Sequence, residues 1–169
     1  ISAVRMLLHI FTPTLTPEVA TSFRHTHDRM KFKFFRESDG EIEDGLKLGF
    51  TREEMAERVF GLLNACGLTE AFASIVVMMG HGSSTVNNPH YAAYDCGACS
   101  GRPGSINARI FCSMANDPEV RELVRKKGIA IPEGTLFVPA LFDTTRDQVY
   151  FYDLEEVRSE EHTSELQSH

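Results

Sequence analysis

The first regular pattern of hydrophobic positions follows Thr51 and has the spacing of an amphipathic helix. Thr51 and Glu54 fit a capping box, in which the threonine hydroxyl accepts from the Glu54 N–H and the glutamate reaches back to the Thr51 N–H. Gly67 is a natural residue to end this helix. The side chains predicted to face inward are Met55, Val59, Leu62, Leu63 and Cys66.

A short apolar run with β-branched residues, Ile75 to Met79, predicts a buried strand. It leads directly into the glycine-containing segment Gly80 to Ser84, which is predicted to be a loop. Two helices are predicted beyond that loop, and the second begins at the capping sequence Asp117-Pro118-Glu119 and stops at Gly128. The positions predicted to face inward on these helices are Ile106, Ile110, Phe111, Met114, Val120, Leu123 and Val124.

Two strand-like segments follow, Thr135 to Leu141 and Gln148 to Tyr152, with the polar run Asp143 to Asp147 between them. From Thr51 onward the predicted order is therefore helix, strand, loop, helix, helix, strand, strand. This order favours an α/β fold in which the loop motifs lie at the edge of the sheet.

The pattern before Thr51 is weaker. Thr16 to Ala20 fits a helix start, Met30 to Phe34 alternates apolar and charged residues as a half-buried strand does, and Glu37 to Gly45 predicts an acidic surface loop.

Composition excludes several classes of protein. The chain has 169 residues, of which 42% are hydrophobic and 24% are charged, the balance of a globular domain. Its formal net charge is −7 and its basic residues are not clustered, so we expect no nucleic-acid partner. No apolar run approaches the ~20 residues that span a bilayer.

Both ends of the sequence are unusual. The chain opens at Ile1 without a basic segment or a cleavage site, which favours a truncated start over a signal peptide. Residues Arg158 to His169 resemble the in-frame translation of a sequencing adapter, so we expect 158–169 to be a non-native tail.

The residues with the most reactive chemistry lie between Gly80 and Gly101. His81 stands between two glycines directly after the predicted strand, and Cys96 follows fifteen residues later. An imidazole and a thiolate are donors that suit Zn²⁺, which needs three or four protein ligands. Within the stretch, the candidates for further ligands are Cys99, His90 and Asp95.

The residues alone leave several hypotheses open. His81, Cys96 and Cys99 could belong to a closed structural zinc module, or Cys96-Gly-Ala-Cys99 could be a redox dithiol. Alternatively, His81 and Cys96 are two ligands of an open, catalytic type of zinc site that is completed from outside this chain. The two cysteines could also be small buried side chains beside a hydrogen-bonded histidine, and a phosphate-binding loop at Gly80 to Ser84 lacks a matching motif.

A family resemblance rests on motifs in a fixed order. Gly80-His81-Gly82-Ser83-Ser84, Asn87-Asn88-Pro89-His90, Asp95-Cys96-Gly97-Ala98-Cys99 and Asn107-Ala108-Arg109 are similar to the DabA family of inorganic carbon transporter subunits. The similarity extends to Asp143-Thr144-Thr145-Arg146-Asp147 and is clearest from Gly49 to Asp153.

The resemblance implies a β-carbonic-anhydrase-like sheet with flanking helices, present here as part of a longer protein. Residues 1–48 would form an N-terminal part, and residues 49–157 would be the zinc-site half of the domain. The family's site contains two Cys, one Asp and one His. By position, His81 and Cys96 would be the two zinc ligands present, with Cys99 as their neighbour.

This chain departs from the family's pattern at two places. The family's other ligands come from an upstream Cys-x-Asp pair, and none precedes His81, since Cys66 is followed by Gly67-Leu68. Phe142 stands where many members are expected to have His.

The function implied by the resemblance is hydration of CO₂ to bicarbonate, coupled to uptake. The implied partner is a DabB-like integral-membrane subunit, which would hold this protein peripherally on the cytoplasmic face of the cell membrane. With half of the ligands missing, we expect this chain alone to be inactive, and we assign no catalytic residue.

Overall fold

In the computed structural model, the described residues are 34–37, 42–83, 96–99 and 102–154. The predicted helix start at Thr16, most of the predicted strand from Met30 to Phe34, and the tail from Arg158 lie outside them. The elements in chain order are β1 (Ile42–Glu43), β2 (Leu46–Lys47), α1 (Arg52–Ala65), β3 (Ile75–Gly82), a 3₁₀ helix (Gly97–Cys99), α2 (Ser105–Asn116), α3 (Pro118–Lys126), β4 (Leu136–Asp143) and β5 (Gln148–Phe151).

Strands β3, β4 and β5 form one sheet in that order. The Leu136 N–H donates to the Ser74 carbonyl at 2.8 Å, and the Thr144 N–H donates to the Gly82 carbonyl at 2.9 Å. The donor lies the same number of residues after the acceptor in both bonds, so the pairing advances in the same direction along both strands, and β3 and β4 run parallel. The short turn 144–147 returns the chain as β5, antiparallel to β4. Helices combined with this mixed sheet confirm the predicted α/β class.

Strand β3 differs from its prediction in two respects. It extends through His81 to Gly82, so the predicted loop does not begin at Gly80. It is also not buried: Ile75, Val77 and Met79 on alternate positions are exposed, Ile75 by 61%. The continuous apolar run predicted a strand covered on both faces. In the structure one face of β3 is exposed, and β3 is also the edge strand of its sheet.

The predicted acidic loop contains a hairpin. β1 and β2 pair antiparallel, with Ile42 opposite Lys47 and Glu43 opposite Leu46. Asp44 and Gly45 join them with positive φ angles of 49° and 78°, the values that a tight two-residue turn requires. Residues 42–45 are exposed, as a surface loop predicts, but Ile42 and Glu43 form a strand that the prediction missed although the Asp-Gly signal was present in the sequence.

Helix α1 confirms the capping box. The Glu54 N–H donates to Thr51 Oγ1 at 3.3 Å, and the Thr51 N–H donates to Glu54 Oε2 at 2.9 Å. The bond from Thr51, followed by that from Arg36, lowers the pKa of the Glu54 carboxyl. Leu62 and Cys66 are exposed, contrary to prediction. The buried positions of α1 are Met55, Ala56, Val59 and Leu63, a narrower stripe than the sequence indicated.

The chain divides into two compact units. The first, called the core unit, includes described residues 34–37, 42–78, 109–139 and 151–154. Its centre is the Phe137 ring, which meets the Phe111 ring edge-on at 6.0 Å and the Phe72 ring at 6.4 Å between centroids. Among the buried side chains packed in this unit are Met55, Val59, Cys112, Met114, Val120, Val124 and Ile129.

Two polar side chains of the core unit bind backbone across elements. The Asn116 amide donates to the Phe137 carbonyl at 2.9 Å and accepts from the Phe137 N–H at 3.0 Å. The Arg121 guanidinium donates to the carbonyls of Ala115 and Thr135 at 2.7 and 2.6 Å. These bonds join the end of α2 and the helix α3 to the strand that follows.

The other unit, called the site unit, includes described residues 79–83, 96–99, 102–108 and 140–150. In it, the backbone of β3 touches the backbone that opens α2. A Cβ atom on Gly80 would lie 2.5 Å from the Gly104 carbonyl oxygen and 2.8 Å from the Ser105 nitrogen. Only glycine fits there, because the obstructing atoms are backbone rather than flexible side chain.

We predict that Gly80→Ala lowers the free energy of unfolding by about 1–3 kcal/mol or more, because the added methyl group must push two backbone segments apart. Gly61→Ala is the matched control. Gly61 lies inside α1 with open space around the position of a Cβ atom. This change should raise the free energy of unfolding by about 1 kcal/mol. Urea titration followed by circular dichroism measures both, and an unchanged midpoint for Gly80→Ala would contradict the close approach.

Candidate metal centre

His81 lies on the last part of β3, with its side chain exposed. Its carbonyl accepts a hydrogen bond from the Gly104 N–H at 2.9 Å. On its other side, Gly82 is buried, and a Cβ atom there would lie 3.3 Å from Leu141 Cδ1 and 3.4 Å from Pro103 Cβ. The two glycines therefore allow close packing on either side of His81, against backbone at Gly80 and mainly against side chains at Gly82, while the imidazole remains accessible.

Cys96 precedes the short 3₁₀ helix and is half-buried. It forms an isolated antiparallel bridge with Arg102. The turn is closed by bonds from the Cys99 N–H to the Cys96 carbonyl and from the Arg102 N–H to the Cys99 carbonyl, both 3.1 Å. The thiol thus lies on a turn with its own backbone hydrogen bonds, followed by a single 3₁₀ turn.

The structure brings the side chains of Cys96 and Cys99 together. The Cys99 thiol donates to the Cys96 sulfur, with 2.7 Å between the sulfur atoms, and both cysteines are free thiols. Asn107 Nδ2 donates to Cys99 Sγ at 3.2 Å. Burial, and then the hydrogen bond to Cys96, raises the pKa of the Cys99 thiol to about 11. Cys99 therefore favours its neutral form in this arrangement.

His81 and Cys96 belong to the same unit and are linked through one short segment. Cys96 is bridged to Arg102, and Gly104, two residues further on, donates to the His81 carbonyl. His90 and Asp95, the other candidate ligands, lie outside the described residues. Within the part of the chain that is described, no three or more His, Cys, Asp and Glu side chains form a group that could hold a metal ion.

The remaining cysteines take no part in this cluster. Cys112 is buried in the core unit, where burial raises the pKa of its thiol to about 12. Cys66 is exposed just after α1. Phe142, the residue expected to be His in many relatives, is half-buried on β4.

A polar turn at the end of β4 completes the surroundings of the β3 terminus. The Gly82 carbonyl accepts from both the Thr144 N–H, at 2.9 Å, and Thr144 Oγ1, at 3.0 Å. Ser83 and Thr145 share a hydrogen bond between their hydroxyls. Asp143 Oδ1 accepts from the Thr145 N–H at 3.0 Å, which fixes the turn.

The run Asp143 to Asp147 is recognisable in the sequence as a motif, but its proximity to the strand end that carries His81 is visible only in the structure. The signal was its position: two polar segments that follow neighbouring parallel strands meet at one edge of the sheet. Asn107 was likewise noted without its contact to Cys99.

The donor set fits zinc in its chemistry. An accessible imidazole and a half-buried thiol are the nitrogen and sulfur ligands that zinc favours, and the neighbouring sulfur provides a hydrogen-bond partner. His81 and Cys96 are thus two residues of this chain that could serve as zinc ligands, fewer than the three or four that a zinc site needs.

None of the helices in the described part of the chain is both long and apolar enough to cross a membrane. No solved structure matches the fold.

Comparison with known proteins gives a consistent result. The family model DabA, described as probable inorganic carbon transporter subunit DabA, matches residues 1–169. A relative of that name from Azotobacter vinelandii (strain DJ / ATCC BAA-1303) is 55% identical over 152 residues, 90% of this chain and 18% of the relative. Another, from Nitrosospira multiformis (strain ATCC 25196 / NCIMB 11849 / C 71), is 51% identical over 164 residues, 95% of this chain and 18% of the relative.

A third relative of that name, from Aquifex aeolicus (strain VF5), is 54% identical over 115 residues, 68% of this chain and 11% of the relative. The chain thus spans less than a fifth of the length of these relatives. A family match over every residue, together with this identity, confirms the resemblance seen in the motifs, and the chain belongs to the DabA family.

Proposed function

We propose that this chain forms the His81–Cys96 half of a zinc-dependent, carbonic-anhydrase-like site that hydrates CO₂ to bicarbonate within an inorganic carbon transport complex. The observation that carries the proposal is the family match over the whole chain, with relatives named as inorganic carbon transporter subunits. The positions of the two donors support it: His81 ends a parallel strand, where α/β proteins place their ligands, and Cys96 lies in the same unit.

When bound, zinc would supply a Lewis acid that lowers the pKa of water to about 7 and so provides hydroxide to attack CO₂ at neutral pH. The chain's own residues hold and orient the donors. The His81 carbonyl is bound by Gly104, which fixes the strand that carries the imidazole. The turn 96–102 holds the Cys96 sulfur beside Cys99. The missing donors would come from the Cys-x-Asp segment that the family resemblance places upstream.

The same proposal includes a partner and a location. The relatives are named as subunits, which supports an assembly of more than one protein. We infer that an integral-membrane subunit of the DabB type supplies the path across the bilayer. This protein would then be peripheral, on the cytoplasmic face of the cell membrane.

One specific observation favours a second function. The 2.7 Å between Cys96 Sγ and Cys99 Sγ places two free thiols within reach of each other. In a thiol–disulfide exchange, the two cysteines would become one disulfide while a substrate disulfide is reduced to two thiols. The same proximity would suit a closed structural zinc module with both sulfurs as ligands. Cys99 distinguishes all three hypotheses.

We predict that His81→Ala and Cys96→Ser each remove zinc, whereas Cys99→Ser retains it, because Cys99 is a neighbour of the site and not a ligand. The test protein is the full-length Azotobacter vinelandii relative in which the matching residues of this chain, without the tail 158–169, replace the corresponding segment. Mass-spectrometric metal analysis of the purified chimera measures the zinc content per chain.

Each other outcome has a definite meaning. Loss of zinc in Cys99→Ser as complete as in Cys96→Ser would favour the structural module. A chimera that contains no zinc before any substitution would overturn the proposed site.

A second prediction concerns the activity. The chimera, produced with the membrane subunit of the same relative, should let a bacterium without carbonic anhydrases grow in ordinary air. His81→Ala should abolish this growth but not growth in CO₂-enriched air, because the enriched gas supplies bicarbonate without catalysis. Cys99→Ser should grow in air, and failure of that variant alone would support the dithiol function.

A third prediction concerns the 169-residue chain by itself. Complete structural zinc sites in peptides bind Zn²⁺ with a binding free energy of about 10–16 kcal/mol, and a site with half of its ligands should bind Zn²⁺ far more weakly. Competition against a chromophoric chelator measures the affinity. Tight binding of one zinc ion per isolated chain would contradict the assignment of two ligands outside it.

A further inference from the structure

We propose that Thr144 is a positioning residue for the metal site, acting through the Gly82 carbonyl on the strand end that presents His81. This inference rests on the proposed function. The hydrogen bonds that carry it are made to backbone and come from a turn that follows a different strand from the one that carries His81.

The Gly82 carbonyl accepts two hydrogen bonds from a single residue. Gly82 O accepts from the Thr144 backbone N–H at 2.9 Å and from Thr144 Oγ1 at 3.0 Å. The backbone bond continues the parallel ladder between β3 and β4. The hydroxyl bond is additional, and it depends on the side chain. Two donors from one residue restrict the orientation of the Gly82–Ser83 peptide, the second peptide after His81, more than one donor can.

The turn that carries Thr144 is itself held in place by bonds of the next residue. The neighbouring Thr145 is bonded through its N–H to Asp143 Oδ1 at 3.0 Å and through its hydroxyl to Ser83. Asp143 and Ser83 are both buried. The turn that carries Thr144 is therefore fixed to its own strand and to the residue after Gly82.

The preceding carbonyl, that of His81 itself, is also bonded. It accepts from the Gly104 N–H at 2.9 Å, and the Gly80–Gly104 contact leaves no room for the backbone to move toward α2. Two successive carbonyls of the strand end are thus bonded, that of His81 by Gly104 and that of Gly82 by Thr144. Metal sites depend on such support, because a ligand must be held within a fraction of an ångström.

The chain provides a matched control for the hydroxyl. Thr135 Oγ1 donates to the Ala73 carbonyl at 3.1 Å, the same kind of bond between residues just before β4 and just before β3. Thr135 belongs to the core unit, and nothing in that contact involves His81 or Cys96. Thr135→Val therefore removes an equivalent hydrogen bond without changing the strand end at the proposed site.

The experiment uses the same full-length chimera with Thr144→Val, Thr144→Ser and Thr135→Val. Zinc affinity is measured by chelator competition, and ligand geometry by the visible spectrum of the Co²⁺-substituted protein. Outer-shell partners of ligands typically contribute 10–100-fold to metal affinity, so Thr144→Val, acting one peptide away, should weaken binding about 10-fold. It should also shift the Co²⁺ bands, Thr144→Ser should restore both, and Thr135→Val should change neither.

Two results would overturn the inference. If Thr144→Val leaves the affinity and the spectrum unchanged in a chimera that binds zinc, Thr144 does not position the site, while the proposed function still stands. If Thr144→Val and Thr135→Val weaken binding equally, with equal losses in melting temperature, the effect is general destabilisation. An unsubstituted chimera that binds neither metal would overturn the proposed function and this inference together.

Discussion

The site depends on one steric constraint, the contact between the backbone of Gly80 on β3 and that of Gly104 before α2. Neither position accommodates a larger residue without moving backbone, and the approach allows the Gly104 N–H to bond the His81 carbonyl. The segment before Gly104 is also bridged back to Cys96 through Arg102, so this contact connects the backbone segments that carry both proposed ligands. The glycines are therefore structural requirements of the site rather than signs of a mobile loop.

The two thiols show how one arrangement is compatible with different chemistry. A hydrogen bond between neutral Cys99 and the Cys96 sulfur suits a zinc ligand with a supporting neighbour, and the same proximity suits a dithiol. Family membership decides which function to propose, since the relatives are named as carbon transporter subunits. The alternatives assign different roles to Cys99, whose thiol pKa is raised mainly by burial.

Local features of the fold were predictable from sequence because they depend on residues a few positions apart. The capping box of α1, the Asp117 cap of α3 and the turn residues Gly67 and Gly128 all occur as expected. Burial was less predictable. The apolar run of β3 suggested a covered strand, but alternate residues of it are exposed, because the cover of each face depends on which elements pack against it, and the sequence contains no local record of that packing.

For the site, the sequence by itself determined the kinds of donor: an imidazole between glycines, a C-G-A-C pair and a polar run after the next strand. It also determined the family, because a long ordered set of motifs is specific. Only the tertiary structure decided that Thr144 binds the carbonyl of Gly82, that Cys99 meets Cys96 and Asn107, and that Gly104 supports His81. The physical reason is that the contacts of Thr144 and Gly104 join residues far apart in the chain, brought together by a parallel strand pair and a close backbone crossing that no local pattern encodes.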